Sequence, residues 1–151
     1  GELIVPSIRR IGILDRKLRI VGENTDTYEE WMKWTIRAFE ATYGYEYQGD
    51  NVLIARINLL LTFIDYYEER WEQKPDIKLL QQMANKIAWN IWQMDGLKGT
   101  VPLGKPYEEF KQMTLFETDS ITDEDETEAV PCKISDWRSK TSLKFMDLKE
   151  R

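Results

Sequence analysis

The sequence predicts an α/β fold in one domain, built around a parallel sheet, and three observations lead there. The chain has 151 residues, a length that favours a single domain with a core of its own. Helical and strand-like patterns alternate as far as Asp95, the arrangement that gives a parallel sheet. Two acids, Glu46 and Asp95, end the two strand-like runs, at the carboxyl edge where open α/β sheets bind their ligands.

Apolar residues at 3, 4, 8, 11, 14 and 18 have helical spacing, which predicts a helix over Glu2–Leu18 with Pro6 in its first turn. "VGENTD" is a polar break. Thr27 with Glu30 has the form of a capping box opening "YEEWMKWTIRAFEA", with Trp31, Trp34 or Thr35, Ala38 and Phe39 on one face. "TYGYEYQ" alternates aromatics and reads as a strand. Asp50 or Asn51 then caps a helix from Val52 to about Trp71, apolar on almost every side. Such a helix is expected to be buried against more than one neighbour.

Pro75 punctuates "EQKPD", and Asp76 opens a further helix through Leu79, Leu80, Met83, Ile87 and Ala88. "WNIWQMD" reads as a short strand ending in Asp95. "GLKGTVPLGKP" is a loop with three glycines and two prolines, followed by the amphipathic stretch "YEEFKQMTLF". Residues 117–128, "ETDSITDEDETE", hold seven acids and no base. Like charge and scarce apolar residues predict a mobile loop there. "VPCKISDW" and "SLKFMDL" read as two short strands, or one strand and an edge. The expected organisation is a core over 1–116, an acidic flexible loop over 117–130 and a β-like segment over 131–151. No internal repeat is visible.

Composition excludes several chemistries. There is no histidine, so Ser-His-Asp and Cys-His catalysis are out. A zinc site has only Cys132 for sulfur, and no metal site is expected. One cysteine forms no internal disulfide, in keeping with a reducing cytoplasm, the expected location. "GELIVPSIRRIG" lacks the form of a signal peptide. The apolar segment Val52 to Tyr67 is interrupted by Arg56, Asn58 and Asp65, so no membrane span is expected. Net charge is −6, yet without the acidic run 20 acids face 21 bases, and no basic patch stands out.

Glu46 is the leading candidate residue. An unpaired carboxylate gains nothing from burial, so Glu46 is either a solvent-facing strand end or a ligand hook. In the second role it accepts hydrogen bonds from a ribose diol, as the acid of dinucleotide-binding βαβ units does. Asp95 can accept from a purine amino group, although aspartate before glycine is also a common turn former. "GTVPLGKP" falls short of a phosphate-binding P-loop, since Pro106 replaces the magnesium-holding Ser or Thr and Pro102 removes a backbone donor. Trp31, Trp34, Trp89 and Trp92 lie in apolar-periodic segments and are expected in the core rather than as base-stacking platforms, with Trp137 less constrained. The acidic run reads as a loop rather than a DNA mimic, and Cys132 as unreactive.

Tyr43-Gly44-Tyr45-Glu46-Tyr47, followed by Asp50-Asn51-Val52 and Ala55-Arg56, resembles the second motif of adenine-specific DNA methyltransferases from restriction-modification systems. That motif is a strand of the type I-Y-G-I-[DE]-I and then D-N-V-x-x-A-R. "NIWQMDGL", Asn90 to Leu97, is similar to their third motif, N-I-x-x-x-D-x-L. "GELIV" is similar to the residues after the last glycine of "GSGEFLV" in their first motif. "CKISDWRSKTSLKFMDL" looks like the approach to the catalytic motif.

The resemblance implies a partial Rossmann-like sheet with flanking helices and methyl transfer from S-adenosylmethionine to a flipped adenine. DNA is then the partner of the intact protein. It also implies cofactor-binding roles for Glu46 on the ribose, Asp95 on the adenine amino group and Gly1 near the methionine end. The glycines stand at 1, 12, 22, 44, 49, 96, 99 and 104, so there is no G-x-G. No two prolines are adjacent, so the catalytic [DN]-P-P-[YF] motif, which holds the extruded base, is missing. No catalytic residue is therefore expected, and the resemblance is to the segment between these two motifs, inactive by itself. The rival expectation is a non-enzymatic module that binds a partner protein, or a degenerate methyltransferase remnant.

Overall fold

The computed structural model describes residues 9–102 and 130–148. The chain forms two units: residues up to Gly44 together with Gly49–Trp92, and Tyr45–Gln48 together with the residues from Gln93 onward. The division runs through two short strands, β1 (Gly44–Glu46) and β2 (Ile91–Gln93), which pair in a two-stranded sheet.

The first unit is built from α1 (Ile13–Glu23), α2 (Tyr28–Glu40), α3 (Gly49–Trp71) and α4 (Ile77–Asn90). α1 and α4 each pack against both α2 and α3. Caps set two of the starts as the sequence predicts. The Thr27 hydroxyl accepts from Glu30 N at 3.3 Å, and the Asp76 carboxylate accepts from Leu79 N at 2.8 Å. Each cap contributes about 1 kcal/mol. α3 begins at Gly49, so Asp50 lies in its first turn, where an acid meets the positive end of the helix dipole.

α1 departs from expectation. It starts only after Gly12, whose backbone is extended, and it runs past Leu18 to Glu23. Leu14 and Leu18 are buried and Val21 continues their row. Ile11 and Ile13 are 81% and 75% exposed. The predicted apolar row thus breaks at Ile11, and the part of the predicted helix over 2–8 lies outside the described residues.

Aromatic packing dominates this core. Trp31 lies edge-on to Tyr67 and to Trp71, each at 5.9 Å between ring centres, and Phe39 lies edge-on to Phe63 at 6.0 Å. Such pairs add roughly 0.5–1.5 kcal/mol each beyond the area they bury. Two tryptophans expected inside are not there: Trp34 and Trp89 are 50% and 46% exposed. Thr35, the alternative to Trp34, takes the buried position. α3 is also less enclosed than expected, since Leu53, Ile54, Ile57 and Leu61 stay exposed.

In the second unit, β3 (Lys133–Asp136) and β4 (Thr141–Lys144) form an antiparallel hairpin with Lys133 opposite Lys144 and Asp136 opposite Thr141. A 3-10 turn, Met146–Leu148, comes next. Residues 137–140 are too few for a crossover, so these strands must run antiparallel. In the turn Lys140 has φ 56°, and the Asp136 carboxylate accepts from Arg138 N, Ser139 N and Ser139 Oγ. Those bonds, the Ser139 hydroxyl first, hold the Asp136 carboxyl below the usual carboxylate range. Among the described residues of this unit, Met94, Cys132 and Ile134 are the buried apolar side chains.

The mixed helix-and-strand composition agrees with the sequence. The described residues form two sheets of two strands each. The amphipathic stretch "YEEFKQMTLF", the acidic run and Lys105–Pro106 of the P-loop-like segment lie outside the described residues. Among the described residues, no helix is long and apolar enough to cross a membrane.

Candidate cofactor site

Glu46 closes β1, and Asp95 lies two residues beyond β2. Met94 N donates to Glu46 O at 3.0 Å, and Gln93 Nε2 donates to Tyr47 O at 2.8 Å. These bonds carry the pairing past the strands themselves, so the two acids stand at neighbouring strand ends.

Each carboxylate is positioned by its own turn. Glu46 Oε1 accepts from Tyr47 N at 2.9 Å and from Gln48 N at 3.3 Å. Asp95 Oδ1 accepts from Leu97 N at 3.0 Å and from Lys98 N at 3.2 Å, an Asx turn. Among the described residues, no donor reaches Glu46 Oε2 or Asp95 Oδ2. Glu46 is exposed and Asp95 half-buried. Each acid therefore has one oxygen fixed by main-chain amides and a second that can accept from a ligand hydroxyl or amino group.

The turn after Asp95 is tightly set. Gly99 N donates to Asp95 O at 2.7 Å, and Asp95 N donates to Thr100 O at 2.9 Å. Gly99 takes φ 68°, the left-handed conformation that favours glycine. A Cβ at Gly96 would stand 2.6 Å from the Tyr45 ring, which is itself edge-on to Phe145 at 5.6 Å. Tyr45 thus covers the Asp95–Gly96 step.

Two residues of the resembling motifs prove to be structural. Asn90 is 1% exposed, and its Nδ2 reaches Phe39 O, Glu40 O and Thr42 O at 3.0, 2.9 and 3.1 Å. With two hydrogens for three carbonyls, at least one bond is shared. Asn90 thereby closes the end of α2 and fixes where the chain leaves toward β1. Arg56 donates from Nε to Ile91 O at 2.8 Å and from Nη2 to Ala88 O at 3.1 Å. It fixes the passage from α4 into β2. Sequence reasoning assigned neither residue a role; an amide one residue before a strand, in an apolar context, was the available signal.

Gly1 lies outside the described residues. Cys132 is buried, its Sγ 3.7 Å from Gln93 O, and burial pushes its thiol pKa up, which disfavours a nucleophilic role. Among the described residues, no group of three or more His, Cys, Asp or Glu side chains is arranged to hold a metal ion. Comparison with known protein families, with curated proteins and with solved structures finds no match.

Proposed function

We propose that the chain is part of an S-adenosylmethionine-dependent, adenine-specific DNA methyltransferase of the restriction-modification kind, with β1 and β2 as two strands of a Rossmann-like sheet. One observation carries this reading: two carboxylates at neighbouring strand ends, each turn-fixed through one oxygen and open at the other. Glu46 would hold the cofactor ribose and Asp95 its adenine amino group; Gly1 would lie near the methionine end. The cofactor brings the transferable methyl group, and these residues bind and orient it. DNA is the partner of the intact protein. A second reading, a module that binds a partner protein, is favoured by the exposed apolar side of α3.

The chain has no G-x-G loop for the methionine end and no [DN]-P-P-[YF] motif for the base. Binding should accordingly be weak and methyl transfer absent. A charge-assisted hydrogen bond contributes roughly 1.5–3 kcal/mol, against an association cost of about 4–15 kcal/mol. Calorimetry with S-adenosylmethionine should therefore give affinity in the high micromolar range or weaker, abolished by Glu46→Ala. Binding that Glu46→Ala leaves unchanged would overturn the site. Labelled methyl groups reaching adenine from the 151-residue chain would overturn the fragment reading.

A further inference from the structure

α3 carries a second apolar row on the side opposite its core face. Val52, Phe63, Tyr66 and Tyr67 are buried, whereas Leu53, Ile54, Ile57 and Leu61 are 57, 56, 49 and 50% exposed. Single exposed apolar residues are ordinary on a protein surface; a contiguous row on one helix is not. Ile54, Ile57 and Leu61 succeed one another at steps of three and four residues, and a further step of three reaches the half-buried Ile64, which packs against the core at the end of the row. That is the a/d spacing by which one helix seats another.

Acids close both ends of the row. The same spacing taken backward from Ile54 reaches Asp50, and taken forward from Ile64 reaches Glu68. Asp65 lies along its flank, already bridged by Arg10 at 2.7 Å. The arginines of α3 are turned to other work: Arg56 to the carbonyls of Ala88 and Ile91, Arg70 to the carbonyl of Thr25. A second copy laid along this row, in either direction, would set Asp50 and Glu68 against acids. Opposed like charges in an interface exclude such a partner.

We infer that the outer face of α3 is a docking seam for an amphipathic helix of a partner protein whose apolar row is bracketed by lysine or arginine. Charge complementarity at the two ends selects the partner and sets its register.

Two synthetic helical peptides test this, with leucine at the a and d positions of two heptads and either lysine or glutamate at the bracketing positions. Their binding to the full chain is read by fluorescence anisotropy. The lysine peptide should bind at least tenfold more tightly at low salt, with the advantage shrinking as salt rises. Ile57→Asn with Leu61→Asn should weaken it at least tenfold without loss of helical circular dichroism. Asp50→Lys with Glu68→Lys should reverse the preference, and this keeps the test decisive if the asparagine pair disturbs the helix. Equal affinity for the two peptides, no binding of either, or unchanged binding of the lysine peptide by the asparagine variant would each overturn the inference. So would a dimer, seen by sedimentation, that the asparagine variant abolishes.

Discussion

The two units differ in what holds each one together. In the first, large side chains from α1–α4 enclose one another, and Phe63 and Met83 are fully buried. In the second, the described residues are fixed mainly by main-chain bonds and by carboxylates that fold back on their own turns. Asp95, Asp136 and Glu46 all do this. Substitutions should therefore act on global stability in the first unit and on local geometry in the second. The candidate carboxylates belong to the second kind.

Removing a core ring should have the largest effect. Phe63→Ala should cost about 3–5 kcal/mol in urea unfolding. A loss no greater than that of a surface substitution would mean that the helices do not depend on this core. Asn90→Ala should come next, because a polar group is here part of the packing. It strands carbonyls of Phe39, Glu40 and Thr42, and about 2–3 kcal/mol should be lost. An effect below about 0.5 kcal/mol, the range of ordinary surface changes, would show that water replaces the amide freely.

A smaller effect, selective for the first unit, should appear in alkali. Burial, aided by Asp15, pushes the Tyr66 hydroxyl up from 10.0 to about 12, and burial with the Tyr28 hydroxyl does the same for Tyr67. The raised values mean that folding favours the neutral phenols. Their contribution is complete below pH 10 and is lost as pH rises through about 12. Tyr66→Phe should flatten the fall in stability over that window, measured by unfolding at a series of pH values. An unchanged slope would count against it. The smallest effect should come from Glu46→Ala, an exposed turn residue. Its stability should lie within about 0.5 kcal/mol of the parent, and a larger loss would make Glu46 structural and blur the contrast.

Legibility in the sequence divides along the line between local and distant contacts. Cap chemistry is local, so Thr27 and Asp76 could be named in advance. Strand ends are local too: Glu46 ends β1 as the alternation puts it, whereas Asp95, read as the end of its strand, lies two residues beyond β2 because the strand stops at Gln93. Periodicity shows which faces are apolar, not what covers them. For that reason Trp34, Trp89 and the outer row of α3 were expected inside and are not. The start of α1 was missed because Gly12 resets a row that continued on paper through Ile11. Asn90 escaped because its partners lie about fifty residues away along the chain, beyond any local pattern.

The edge-on cluster of Trp31, Tyr67 and Trp71 also makes the molecule its own optical instrument. Rings fixed in an asymmetric setting give near-ultraviolet ellipticity that vanishes when packing loosens, even while helices persist. Five of the six tryptophans belong to the first unit, and Trp137 alone belongs to the second. Replacing Trp137 by phenylalanine leaves a chain whose indole emission reports the first unit alone. The difference from the parent spectrum then isolates the second, so the loosening of either unit can be followed in one cuvette without a label.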